Sequence, residues 1–278
     1  MNNLNVTERA KILTLLVEGM SINATCRTTG ASKGTVLKLL ADVGVACTAY
    51  QDRVMRQLPC KKVQCDEIWA FCYSKERNVA TNKVTVEGAG DVYTWTAIDA
   101  VTKLIPCWHV GTRGYISAHL FLNDLADRLA NRVQLTTDGH RVYVNAVEEA
   151  IGRNIDFAQL VKIFGSPSPE DQRRFSQAEC CGTVKTPIYG KPNMDDISTS
   201  FVERANRTMR MHMHRFTRPT NGFSKKLENH MHAVSLHFMF YNFCKVHKTL
   251  RVTPAMEANI DDHVWTMEEV VMMADTNN

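Results

Sequence analysis

The chain has 278 residues, 44% of them hydrophobic and 22% charged, with a formal net charge of +4. At roughly 150 residues per domain this suggests one large domain or two modest ones with a sizeable core, and it excludes a disordered chain. No stretch approaches the run of about 18 apolar residues that a membrane span needs, and residues 1–5 lack a basic region leading into an apolar one, so a cytoplasmic protein with no membrane partner is expected.

The nine cysteines are too few for a disulfide scaffold, and no two stand as Cys-x-x-Cys. They read as reduced, mostly buried thiols rather than as a zinc site. His212 with His214, and His230 with His232, look like ligand pairs, but residues two apart on a helix point about 200° apart. Core or solvated histidines are the better reading.

Residues 1–45 have a pattern of their own. Thr7 is a candidate cap before Ile12, Leu13, Leu16 and Val17, and Gly19 a stop. Ser21 opens a short second helix, Gly30 a tight turn, and Ser32 a third helix with Val36, Leu39 and Leu40 on one face. The second and third helices read as a helix-turn-helix, which would offer Ser32, Lys33, Thr35 and Lys38 to a major groove. An ordinary three-helix packing unit has the same pattern. Residues 46–62 lose periodicity before Pro59 and read as a linker.

From Val63 the signal is strand: 63–73, 92–98 and 104–110 are rich in β-branched and aromatic residues. Helical pattern at 116–130, a strand at 133–137, a helix near 145–151 and a strand near 157–163 follow. Three meandering strands and then alternating helix and strand predict an α/β fold, an RNase H-like mixed sheet flanked by helices, behind an N-terminal all-α helix-turn-helix domain. Residues 165–199 hold four of the eight prolines and read as a long inserted loop. Helices are expected over 201–214 and 223–246, the domain closing at 255 before a C-terminal tail, 256–278.

Residues 201–253 carry ten Lys or Arg against only Glu203 and Glu228, so the basic surface is local. It is either a solvated face or a phosphate contact. Glu203 shares a helix face with Arg207, Arg210 and His214, either as a surface ion pair or as a metal-binding carboxylate among cations. Strand alternation puts Asp66 on one face with Gln64 and Ile68, with Cys65 and Glu67 opposite, and Asp138 ends an apolar run before Gly139. Taken singly, Asp138 fits a turn equally well, and so does Asp99 after the second strand.

Together, Cys65-Asp-Glu-Ile-Trp69, Thr136-Thr-Asp-Gly139 and the run from Ser198 through Glu203 to Arg210 resemble the three acidic motifs of DDE transposases. Arg215 to Lys226 and His247-Lys-Thr-Leu250 are similar to the insertion sequence one family or a close relative. The resemblance spans roughly residues 60–255. It implies that Asp66, Asp138 and Glu203 bind two Mg²⁺ ions, with Mn²⁺ as a substitute. Hard cations prefer carboxylate oxygens, and two of them stabilise the attacking and leaving oxygens of a phosphoryl displacement.

The reaction so implied is hydrolysis at insertion-sequence ends and attack of the freed 3′ hydroxyl on target DNA, by a homodimer or larger synaptic assembly. The helix-turn-helix would read the terminal inverted repeats, and Asn206, Arg207, Arg210, Lys225, Lys226 and Lys248 would contact DNA. The sequence departs from the family pattern at Arg210, where a lysine is usual, and in the 65-residue separation of Glu203 from Asp138. A DNA-binding regulator without catalysis, and a nuclease of the same fold that cuts without joining, remain open.

Overall fold

The computed structural model describes residues 4–165, 180–217 and 221–276. Three helices come first: α1 (Val6–Val17), α2 (Ile22–Thr29) and α3 (Lys33–Val54). Each begins on a side-chain cap: Asn5, in a capping box with Glu8, then Ser21, then Ser32. Asn5, not Thr7, is therefore the first cap. Between α2 and α3, Gly30 takes φ +73°, the left-handed conformation that closes the turn without a Cβ penalty.

A six-stranded mixed sheet follows. β1 (Lys62–Cys72), β2 (Gly90–Asp99) and β3 (Trp108–Gly111) form an antiparallel meander, with the short α4 (Glu76–Val79) between β1 and β2. β4 (Gln134–Asp138) and β5 (Asp156–Phe164) then add in parallel on the other side of β1, through α5 (Tyr115–Arg128) and α6 (Val142–Ala150). β6 (Cys180–Tyr189) closes the order β3-β2-β1-β4-β5-β6 as an antiparallel edge. The remaining helices are α7 (Ser200–His212), α8 (Leu227–Met239) continuing as a π-type segment Phe240–Cys244, α9 (Pro254–Glu257) and α10 (Met267–Thr276).

β1 is covered on both faces, as a central strand fed by crossovers must be. On one side Trp95 packs edge-on against Tyr143 of α6, and Phe121 of α5 is buried beside them. On the other side Trp108 packs at a tilt against Phe238 of α8. No helix among the described residues is long and apolar enough to cross a membrane.

Three expected boundaries are corrected. First, 46–54 is not linker, because α3 runs unbroken to Val54 and buries Ala46, Cys47 and Gln51. Its side of the molecule joins the sheet in one continuous core. The Gln51 amide donates to the Ser235 carbonyl of α8, while Asn242 bonds both the N–H and the carbonyl of Ile105. Where α3 crosses α8, a Cβ on Gly44 would stand 2.5 Å from the Cβ of His232.

Second, 165–199 is not all loop. Residues 180–189 form β6, and Pro187 is tolerated there because an edge strand need not donate on its outer side. Pro167, Pro169 and the rest of 166–179 lie outside the described residues, as does Arg218. Third, 256–278 is not a loose tail. α10 buries Met267, Val270, Val271 and Ala274, and Arg9 of α1 pairs with its Asp275.

Candidate active site

The parallel pairing of β1 with β4 runs through Cys65↔Thr137, so the next residues, Asp66 and Asp138, stand side by side with both side chains on the α7 face. The helix is fixed over them by Gln64, two residues before Asp66 and pointing the same way. Its buried side-chain oxygen accepts from the backbone N–H groups of Phe201 and Val202, satisfying two of the orphan donors of α7's first turn. That brings Glu203 and Asn206, one turn apart, across the acidic strand ends.

Asn206 is nearly fully buried and donates to an Asp66 carboxylate oxygen at 2.8 Å, while its own amide oxygen is buried without a partner. Asp138 accepts from the His140 N–H at 3.0 Å, and a Cβ on Gly139 would press Val161 at 2.8 Å. Gln159 holds the carbonyls of Asp138 and His140 from the neighbouring strand. Glu203 is held by the Thr199 hydroxyl and, at 2.5 Å to each oxygen, by the ammonium of Lys162 on β5.

Carboxylate oxygens of Asp66, Glu67 and Asp138 lie within 4.8 Å of one another. Glu203 is not in that tight set. Its charge nevertheless reaches Asp66, whose carboxyl is pushed up to about 7, first by burial, then by the charges of Glu67 and Asp138, and less by Glu203. Glu67 turns to the opposite face, where Arg113 and the Tyr143 hydroxyl engage it. Asp99 takes the turn role: it accepts from the N–H and hydroxyl of Thr102.

The expected DNA contacts are distributed differently. Asn206 is withdrawn from that role, since it is buried against Asp66. Arg207 and Arg210 are exposed on α7. Ser32 caps α3 and its hydroxyl meets that of Thr35, while Lys38 pairs with Asp42 one turn on. Lys33, exposed at the start of α3, lies close enough to Lys225 for its charge to lower that lysine's pKa, after burial. Lys225 caps the Phe223 ring at 3.1 Å, and Lys226 opens α8. Lys248 is exposed beyond the π-type segment.

In each histidine pair one ring is buried and engaged within the fold. His212 and His230 are buried, bonded to the Val17 carbonyl and the Ser224 hydroxyl. Burial pushes His230 down to about 3. None of the nine cysteines forms a disulfide, and Cys180 and Cys181 are exposed. Lys162 escaped the sequence reading because no motif surrounds it; its position follows only from strand register.

The residues fit a hard divalent cation: closely grouped carboxylate oxygens, among which Asp66 is a weakened acid that a cation would relieve, beside a buried amide oxygen that lacks a partner. No family model matches the chain, and no curated protein matches it. Among solved structures it is similar to a piggyBac transposase synaptic complex with hairpin DNA, with 10% identity and a TM-score of 0.41 over 98% of this chain and 71% of that one. A pre-cleavage Mos1 transpososome gives 10% identity and a TM-score of 0.33 over 99% of this chain and 79% of that one. Likenesses this distant carry no argument, and the functional reading rests on the chain's own geometry.

Proposed function

We propose that the chain is a DDE-type DNA transposase with an RNase H-like catalytic domain, hydrolysing phosphodiesters at element ends and joining the freed 3′ hydroxyl to target DNA. The observation that carries this reading is the convergence of three carboxylates distant in sequence: Asp66 and Asp138 on neighbouring parallel strands, and Glu203 on the helix docked across them. Their type and order match the motifs that the sequence resembles.

In this reading Asp66, Asp138 and Glu203 hold two Mg²⁺ ions, or Mn²⁺. Bound there, the ions supply the positive charge that steadies the attacking and leaving oxygens. Asn206 keeps the Asp66 carboxylate turned toward the site through its 2.8 Å bond. Gln64 and Gln159 fix the helix and the strand end on which Glu203 and Asp138 ride. Arg207 and Arg210 take DNA phosphates along the exposed side of α7.

The α2–Gly30–α3 unit acts as the helix-turn-helix that reads terminal inverted repeats, with Lys33, Lys225 and Lys226 on neighbouring surface. A homodimer or larger synaptic assembly pairs two ends. The Glu203–Lys162 pair favours one rival, a regulator that binds DNA without catalysis, because an ammonium then occupies the carboxylate.

The deciding experiment incubates purified protein with labelled element-end DNA and a target plasmid in Mg²⁺ or Mn²⁺, beside Asp138→Asn. Joining by the wild type alone is expected. Cleavage without joining would make the chain a nuclease, and binding with no product from either protein would make it a regulator.

A further inference from the structure

Along α7, Glu203, Asn206 and Arg210 follow one flank, whereas Phe201, Arg204 and Thr208 follow the other, with the buried Val202 and Met209 between them. The second flank borders a cavity of about 220 Å³ closed by Lys103 from the β2–β3 connection and by Tyr241, Lys245, His247 and Lys248 from the chain leaving α8. Four basic side chains and a histidine thus surround one small space.

No ion pair among the described residues neutralises Lys103, Arg204, Lys245 or Lys248. Lys103 lies 3.3 Å over the Phe201 ring and donates to the Ala100 carbonyl. Lys245 meets a ring nitrogen of His212 at 3.0 Å. The one carboxylate whose charge reaches Lys103 is Asp99, which is buried and engaged by Thr102. The crowding registers in the acidities. Burial lowers Lys103, with Arg204 adding to the effect, and burial lowers His247, with Lys103, Arg204 and Lys245 adding.

Cations held together with the buried Asp99 as their one partial counter-charge, against apolar walls, form a positive well for an anion. Donors converging from several backbone segments suit the spread oxygens of a tetrahedral phosphoryl group better than a flat carboxylate. The volume is below the roughly 300–1,000 Å³ of small-molecule pockets, so one phosphoryl group fits and a whole nucleotide does not. We propose that this pocket is a phosphate-binding site, separate from the carboxylate centre, which grips one backbone phosphodiester of duplex DNA. Its affinity for a phosphoryl group stands on the cavity alone, while DNA as the source rests on the transposase reading. Because a helix with side chains is about 10–12 Å across, DNA held on both flanks would straddle α7.

The test uses the full chain in EDTA, which removes metal-dependent chemistry. Binding of a 30-base-pair duplex is measured across a salt series, and binding of pyrophosphate by calorimetry, for wild type, for Arg204→Ala/Lys248→Ala, and for Lys191→Ala as a charge control. Both residues of the double variant are exposed, and an unchanged melting temperature checks that it is folded. Expected are a several-fold loss of duplex affinity, a salt slope shallower by about 0.9 for the lost phosphate contact, and loss of pyrophosphate binding, none of it in Lys191→Ala. A wild-type slope with pyrophosphate binding lost would overturn DNA as the occupant and leave a free phosphoanion. No effect on either ligand would overturn the site. None of these outcomes depends on cleavage or joining, so failure of the catalytic reading is seen separately.

Discussion

The seam where α3 meets α8 and the face where α7 crosses β1 and β4 are built from similar parts to opposite ends. In the seam the buried polar groups are matched: Gln51 to Ser235, Asn242 to both backbone groups of Ile105, Ser235 to the Gly44 carbonyl. On the α7 face, buried or half-buried acids crowd one another, and Lys162, the cation paired there among the described residues, serves Glu203. A structure optimised for stability alone would not keep Asp66 near three other carboxylates.

The largest effect should separate the two regions by function. Glu203→Gln is expected to cut strand joining at least about a hundredfold, the order expected when several kcal/mol of transition-state charge stabilisation are lost. Its half-exposed pair with Lys162 should cost less than about 1 kcal/mol in urea unfolding. Equal loss of both would mean that Glu203 is structural.

The strain at Asp66 predicts a pH signature. With its carboxyl at about 7 in the folded protein against an ordinary 3.8, the fold holds more protons than the unfolded chain between those values. Stability in EDTA therefore falls as pH rises through that window and levels off above it, by no more than about 4 kcal/mol. Asp66→Asn should flatten the slope and raise the melting temperature at pH 8 while abolishing joining. A slope unchanged by the substitution would assign it to other groups.

For the seam, Gly44→Ala forces a Cβ against His232 Cβ and, at 2.8 Å, its Cα, so the helix backbones must part. A loss of about 1–3 kcal/mol is expected, with joining per folded molecule intact. Loss of joining in excess of unfolding would mean that the seam tunes the site. The smallest effect belongs to Lys162→Ala. It should change stability by under about 1 kcal/mol, yet lower the Mg²⁺ concentration at which melting temperature rises, because Glu203 is released. An unmoved Mg²⁺ midpoint would show that the two cations do not compete.

The strands β1, β2, β4 and β5 were legible because β-branched and aromatic residues mark them, whereas the run expected over 104–110 meets β3 only over 108–110, and Asp66 and Asp138 were found by alternation and motif. α3 was cut short because Gln51, Asp52 and Arg53 look like surface, although Gln51 is wholly buried on the α8 side. α10 was legible and overlooked: Met267, Val270, Val271 and Ala274 have the i, i+3, i+4, i+7 spacing of a buried face. β6 left little signal, since it is an edge with both faces largely exposed, a condition that selects for no periodicity. Asn206 looked like a DNA contact from its place after Glu203; only the docking angle of α7 turns it inward to Asp66.

The ion pair of Arg9 with Asp275 joins residues 266 positions apart. At about 5–20 residues per second on the ribosome, α1 waits roughly ten seconds to a minute for α10 to be made. During synthesis α1 lacks this partner, and it acquires it only after both strand aspartates and Glu203 have emerged. A polypeptide interrupted before α10 would carry the acidic residues and the N-terminal helices, but without the clasp between α1 and α10. The clasp between α1 and α10 is thus set only after the acidic residues of the site have been made.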